Sequence, residues 1–239
     1  MTFFKLVVAC AVMFVSATLH GTVGFGLGLI SVPFLVLIDP VLVPGPVLMS
    51  SFVLTILMAY RERWAMDVSG IKLGLVGRIL GTLVAALMLA NMPSTKGMTI
   101  TLGALVIAAV VISGSGWRVH PTRWTLVGAG VLSGFMGTIA SIGGPPMALL
   151  YQDASGERLR STMSGFFIFG TLISLVGLIS AGRFGLSECR FAMALVPGVL
   201  GGFALSGRTI LFLNHGYTRT AVLTVSALSG IGVILRGIL

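Results

Sequence analysis

Charge is what this sequence is short of. Asp, Glu, Lys and Arg make up 9% of the chain, where the surface of a soluble domain needs roughly 25%. A particle of 239 residues cannot face water with so few ions. That excludes a cytosolic enzyme, and the 56% hydrophobic content excludes a disordered chain. Cysteine is scarce too. Cys10 and Cys189 stand far apart and form no CxxC pair, so neither a disulfide scaffold nor a metal site is indicated. Carboxylates are the scarcest charge. Asp39, Glu62, Asp67, Asp153, Glu157 and Glu188 all fall at the ends of apolar runs or in loops. Cation carriers and proton pumps are usually built around an intramembrane carboxylate, and this chain offers none. A phosphate-binding P-loop is missing, as are HExxH, a credibly spaced Ser/His/Asp set and a haem-ligand pair. ATP hydrolysis and intramembrane enzyme chemistry are therefore not expected, nor is any cofactor.

Long apolar stretches are what the chain has instead. Mean hydropathy is +1.08, and crossing about 30 Å of hydrocarbon takes about 20 apolar residues. Apolar segments run over 3–19, 27–38, 41–60, 71–90, 98–112, 124–139, 147–151, 162–181, 191–205 and 222–235. The second and seventh are too short to span, and each follows a run of small residues. Joining each to its predecessor gives eight elements, the first and fifth interrupted. The fold class is an all-α integral membrane protein with no room for a soluble domain. The first segment has the outline of a signal peptide, but the stretch before Cys10 is too short for an apolar core, and we read it as a retained helix. The net charge of +9 comes from basic residues scattered singly between apolar runs. That is the pattern of positive-inside loops, not of a nucleic-acid surface.

The pattern repeats. Gly21-Thr22-Val23 matches Gly137-Thr138-Ile139, and Gly28 matches Gly144 at the same offset. Leu75-Val76-Gly77-Arg78-Ile79-Leu80-Gly81 matches Leu195-Val196-Pro197-Gly198-Val199-Leu200-Gly201. Two homologous halves of about four hydrophobic elements are expected, over 1–115 and 116–239. If the broken elements cross the membrane, the halves run parallel. If they are re-entrant hairpins, the halves are inverted. Basic residues split nine to five between the two sides in either arrangement, so loop charge does not choose.

The two breaks carry the chemistry. Unwound backbone in lipid leaves amide and carbonyl groups unpaired at several kcal/mol each, and survives only against protein or a polar cavity. A helix restarting after such a gap aims free N–H groups and a positive dipole end into it, which favours an anion. The candidate site is therefore His20, Gly21, Thr22, Gly24, Gly26, Gly28 and Ser31 in the first half, and Gly137, Thr138, Ser141, Gly143 and Gly144 in the second. Close helix packing through small residues is the competing account of each break. Arg78 joins the set because it lies mid-segment, where burial costs about 2.5–3.5 kcal/mol on insertion scales. Either it faces an anionic substrate, or its head snorkels to an interface. His20 alone is more simply a packed histidine than a proton carrier.

The run His20-Gly21-Thr22-Val23-Gly24-Phe25-Gly26-Leu27-Gly28 with Pro33, the run Gly134-Phe135-Met136-Gly137 leading to Gly143-Gly144-Pro145-Pro146, and Pro197-Gly198-Val199-Leu200-Gly201-Gly202 together resemble the TauE/SafE (TSUP) family of sulfite and organosulfonate exporters. The resemblance covers essentially the whole chain. It departs from the family's usual Gly-Gly-Gly at Gly26-Leu27-Gly28. It implies a multi-pass carrier of the bacterial inner membrane that moves small organosulfur anions such as sulfite, sulfoacetate or other sulfonates. The expected partners are that anion and membrane lipid, with no nucleic acid, and a homodimer is left open. A passive anion channel and a non-transporting membrane scaffold are the alternatives.

Overall fold

The computed structural model describes residues 2–92, 95–209 and 215–238, the side chains of 95 and 215–222 excepted. The described residues form ten helices and no strand. They are α1 (Phe3–Val23), α2 (Leu27–Ile38), α3 (Gly45–Arg61), α4 (Val68–Ala90), α5 (Thr95–Gly114), α6 (Arg123–Ala140), α7 (Gly144–Leu150), α8 (Gly156–Ser180), α9 (Leu186–Thr209) and α10 (His215–Ile238). Five of them, α1, α4, α5, α8 and α9, are long and apolar enough to cross a membrane. Short polar caps set several starts. Asp67 accepts from Gly70 N–H at the head of α4, Ser155 from Arg158 N–H at the head of α8, and Thr122 and Thr125 close a capping box on α6. Each such cap satisfies an amide that no helical carbonyl can reach.

Contacts along the helices fix their directions. Cys10 Sγ donates to the Ala194 carbonyl at 3.1 Å, and Thr22 Oγ1 lies 3.2 Å from Thr209 Oγ1, so α1 and α9 run parallel. Gly77 packs on Val127 and Thr138 sits 3.1 Å from Thr82, so α4 and α6 also run parallel. Glu62, just past the end of α3, meets Arg160 in the first turns of α8, so that pair is antiparallel. Gly103 against Ile234 and Gly114 against Leu223 make α5 and α10 antiparallel. Both described chain ends consequently lie at one end of the bundle. Arg236 donates to the Val36 and Leu37 carbonyls at that same end, so α2 turns back beside α1. At the opposite end Tyr151 Oη donates to Asp67 Oδ2 at 3.0 Å, so α7 turns back beside α6. The interrupted elements are two hairpins entering from opposite ends. Each of α1 to α5 points opposite to the helix five places later.

Both breaks are shorter than the small-residue runs. The first is confined to Gly24–Gly26 and the second to Ser141–Gly143. Gly21, Thr22, Gly137 and Thr138 are still helical, and Gly28 and Gly144 already are. Unwinding happens where the backbone turns left-handed, at Gly24 (φ +100), Gly26 (φ +107) and Ser141 (φ +59), the region that glycine enters freely and others at a cost. Other glycines do what the competing account required. A Cβ on Gly77, Gly81, Gly130 or Gly134 would stand 1.9–2.3 Å from backbone oxygens across the α4–α6 contact, so these residues let two backbones touch.

Candidate functional site

The hairpin tips meet inside the bundle. The Ser141 carbonyl oxygen lies 1.9 Å from where a Cβ on Gly28 would be, and Phe25 Cβ lies 3.2 Å from the same point on Gly144. Gly24 N–H donates to the His20 carbonyl at 2.7 Å and closes α1, while Ser141 N–H donates to the Gly137 carbonyl at 2.9 Å and closes α6. Ser141 Oγ then donates to the Pro44 carbonyl, tying the second tip to the start of α3.

A cavity of about 40 Å³ opens at this junction, room for a few waters or one small ion. His20, Gly26, Gly28, Arg78, Gly137, Ser141, Gly143 and Gly144 all line it. His20 Nδ1 accepts from Leu27 N–H at 3.2 Å. The ring proton therefore sits on Nε2, since a neutral imidazole carries one donor and one acceptor. Nε2 is buried and has no partner among the described residues, which leaves a donor unused.

Arg78 lies mid-way along α4 and is 1% exposed, so its head does not reach either end of the bundle. Nη1 donates to Ser133 Oγ at 2.8 Å and Nη2 to Ser174 Oγ at 3.2 Å. Ser133 donates onward to the Gly143 carbonyl, and Thr138 Oγ1 lies 2.9 Å from Ser174 Oγ. The guanidinium also stacks against Phe166, 5.1 Å from its ring centre. Space for it exists because Gly137, Gly143 and Gly170 have no side chains, as a Cβ on each would lie within 3.0 Å of its nitrogens. Nε has no partner. The ion pairs among the described residues are Arg61–Glu62, Arg158–Asp67 and Arg160–Glu62. None involves Arg78. A buried cation without a counter-charge costs several kcal/mol, and the cost falls when an anion joins it.

Five of the candidate residues lie elsewhere. Thr22 is turned toward α9, bonding Thr18 O and Thr209. The Gly21 carbonyl accepts from Arg61 at 2.7 Å, and Gly24 packs on the Arg160 stem. Ser31 is fully buried in α2 with its hydroxyl unpartnered. Thr138 stands behind Arg78, supporting it through Ser174. In turn the cavity includes Ser51, Thr55, Phe167 and Thr171, which no break pointed to. Their signal is helical spacing. Ser51 and Thr55 share a face of α3, and Phe167, Thr171 and Ser174 share one of α8.

A charged strap lies beside the first hairpin. Glu62 accepts from Arg61 and, at 2.6 Å, from Arg160, joining the end of α3 to α8 and, through Gly21, to the first hairpin. Glu62 is 8% exposed. Glu62→Gln is expected to cost about 2 kcal/mol, because both arginines lose their counter-charge in a mostly buried place. Thermal unfolding in detergent measures it, and a loss below about 0.5 kcal/mol would show a strap that holds nothing.

A family model described as Sulfite exporter TauE/SafE matches residues 9–233. A Listeria innocua serovar 6a protein named "Putative glycerol transporter Lin0367" is 30% identical over 92 residues, which is 38% of this chain and 77% of that protein. No solved structure matches the chain.

Proposed function

The chain belongs to the sulfite exporter TauE/SafE family of membrane transporters, and we propose that its cargo is a small sulfur-containing anion held beside Arg78 where the two hairpins meet. Sulfite, sulfoacetate and other sulfonates fit this description. The observation that carries the reading is a buried guanidinium with no carboxylate against it among the described residues. Of its five N–H groups, two are committed to Ser133 and Ser174. The remaining N–H groups, the unused His20 Nε2–H and the Gly28 and Leu29 amides in the first turn of α2 supply donors to anion oxygens. Charge-assisted bonds of this kind are roughly twice as strong as neutral ones.

The opposed hairpins also support a mechanism. Two halves of opposite direction around one central site are the arrangement that alternating access uses. The basic residues favour an orientation as well. Arg61, Arg63, Lys72, Arg118, Arg123, Arg158, Arg160 and Arg208 gather at the end away from the termini. By the positive-inside rule that end faces the cytoplasm of a bacterial inner membrane and the termini lie outside. A negative interior then expels an anion, by about 2.3 kcal/mol per charge per 100 mV. In this reading no bond is made or broken, and the protein acts as a carrier.

A neutral polyol is the second reading. The name of the Listeria relative and the hydroxyls of Ser51, Thr55 and Thr171 in the cavity favour it. Flux in proteoliposomes with an imposed interior-negative potential separates the two. The expected result is saturable movement of sulfite or sulfoacetate and no glycerol movement above empty vesicles. Glycerol flux without anion flux would overturn the anion reading, and unsaturable anion flux would make the protein a channel.

A further inference from the structure

Behind the polar cavity lies a second, larger chamber of about 180 Å³. Gly26, Leu29 and Pro145 line both spaces, so the two share a wall at the hairpin tips. A Cβ on Gly26 would meet nothing within 4 Å, so no side chain there stands between them. The chamber is mostly apolar, walled by Phe25, Ile30, Ala148, Leu159 and Leu223 among others. Its polar members, Ser113 and Gln152, have partners of their own, and no charged side chain lines it. An apolar cavity of about 150 Å³ stays dry and takes up benzene, so a space of this size has room for about five or six carbons.

From this adjacency we infer that the site takes an amphiphilic anion, with a sulfonate head at Arg78 and His20 and an aliphatic tail in the apolar chamber. The inference rests on the anion-carrier reading and narrows its substrate class. Sulfite fills only the head position. A linear alkanesulfonate fills both. Each buried methylene strengthens association by about fourfold, up to the length at which the chamber is full.

The test is a series of linear alkanesulfonates from one to eight carbons, competing for transport in proteoliposomes of the full chain. Affinity is expected to rise about fourfold per carbon to five or six carbons and then to level off or fall. Ala148→Phe occupies the chamber, and the ratio of hexanesulfonate to methanesulfonate affinity should fall at least tenfold. Leu159→Trp provides the same reading where the first variant does not fold. The neutral alcohol hexanol should not compete, since it lacks the head. If short anions are carried but affinity is flat with chain length, the chamber is not part of the site, and the anion-carrier reading survives. If the rise persists unchanged in both variants, it reports partition into lipid and the inference fails. A phospholipid retained in the purified protein that hexanesulfonate does not displace would likewise overturn it. No transport of methanesulfonate or of sulfite defeats the carrier reading itself.

Discussion

Arg78→Met is expected to abolish measurable anion flux and to melt no lower than the parent protein. The two halves of that result have separate causes. Flux is lost because the cation that would face the anion is gone. Removing one member of a buried, hydrogen-bonded charge pair costs 2–5 kcal/mol of binding, which is about 30-fold to several thousandfold in affinity. Stability is kept because, among the described residues, no carboxylate balances the buried Arg78 charge. Methionine occupies similar volume without the desolvation penalty, and replacements of this kind are often neutral or stabilising. The hydroxyls that Arg78 leaves behind are not stranded, since Ser133 keeps the Gly143 carbonyl and Ser174 keeps Thr138. Arg78→Lys retains the charge and loses the planar fork, so it should fall between the two. Addition of substrate at 100 times its Kd raises the parent's stability by about 2.7 kcal/mol and leaves the methionine variant where it was. A methionine variant that transports normally, or one that unfolds like a core deletion, would show Arg78 to be a structural residue.

The sequence made Arg78 conspicuous and left its surroundings dark. A lone arginine in the middle of an apolar run is visible because insertion there is costly, but the run does not say whether the head finds an interface or a nest. Gly137, Gly143 and Gly170, which make the nest, come from α6, the second break and α8, and only packing brings them together. The breaks were legible for a related reason, since dense glycine in lipid has few uses. Their extent was not. Gly21 and Gly137 look like Gly24 and Gly26 on paper, yet stay helical, with Ser206 and Arg78 packed where their side chains would be. Loop charges divided nine to five under either topology, so helix direction had to come from long-range pairs such as Cys10 with Ala194 and Glu62 with Arg160. Thr22 shows the opposite failure. Its type suits an anion site, but its place on α1 turns it to α9, a rotation that composition cannot report.

Gly28→Ala is expected to cost 3 kcal/mol or more and to stop transport, though it adds a single methyl group. The new Cβ would stand 1.9 Å from the Ser141 carbonyl oxygen and 2.8 Å from its carbon. Both atoms are backbone, so no rotamer change relieves the overlap and one hairpin tip must retreat from the other. Retreat widens the cavity between His20 and Arg78, which are carried by α1 and α4. Two further alanines isolate the cause. Gly26→Ala meets open space but must hold φ +107, so it carries only the left-handed penalty of about 1–2 kcal/mol. Gly128→Ala, exposed in the middle of α6 with nothing near its Cβ, should stay within about 1 kcal/mol of the parent. Thermal unfolding of the three in one detergent should rank them Gly28→Ala worst, Gly26→Ala next and Gly128→Ala harmless. If Gly28→Ala melts with the parent and carries substrate at its rate, the tips are not in contact, and the cavity they enclose cannot be where the anion is held.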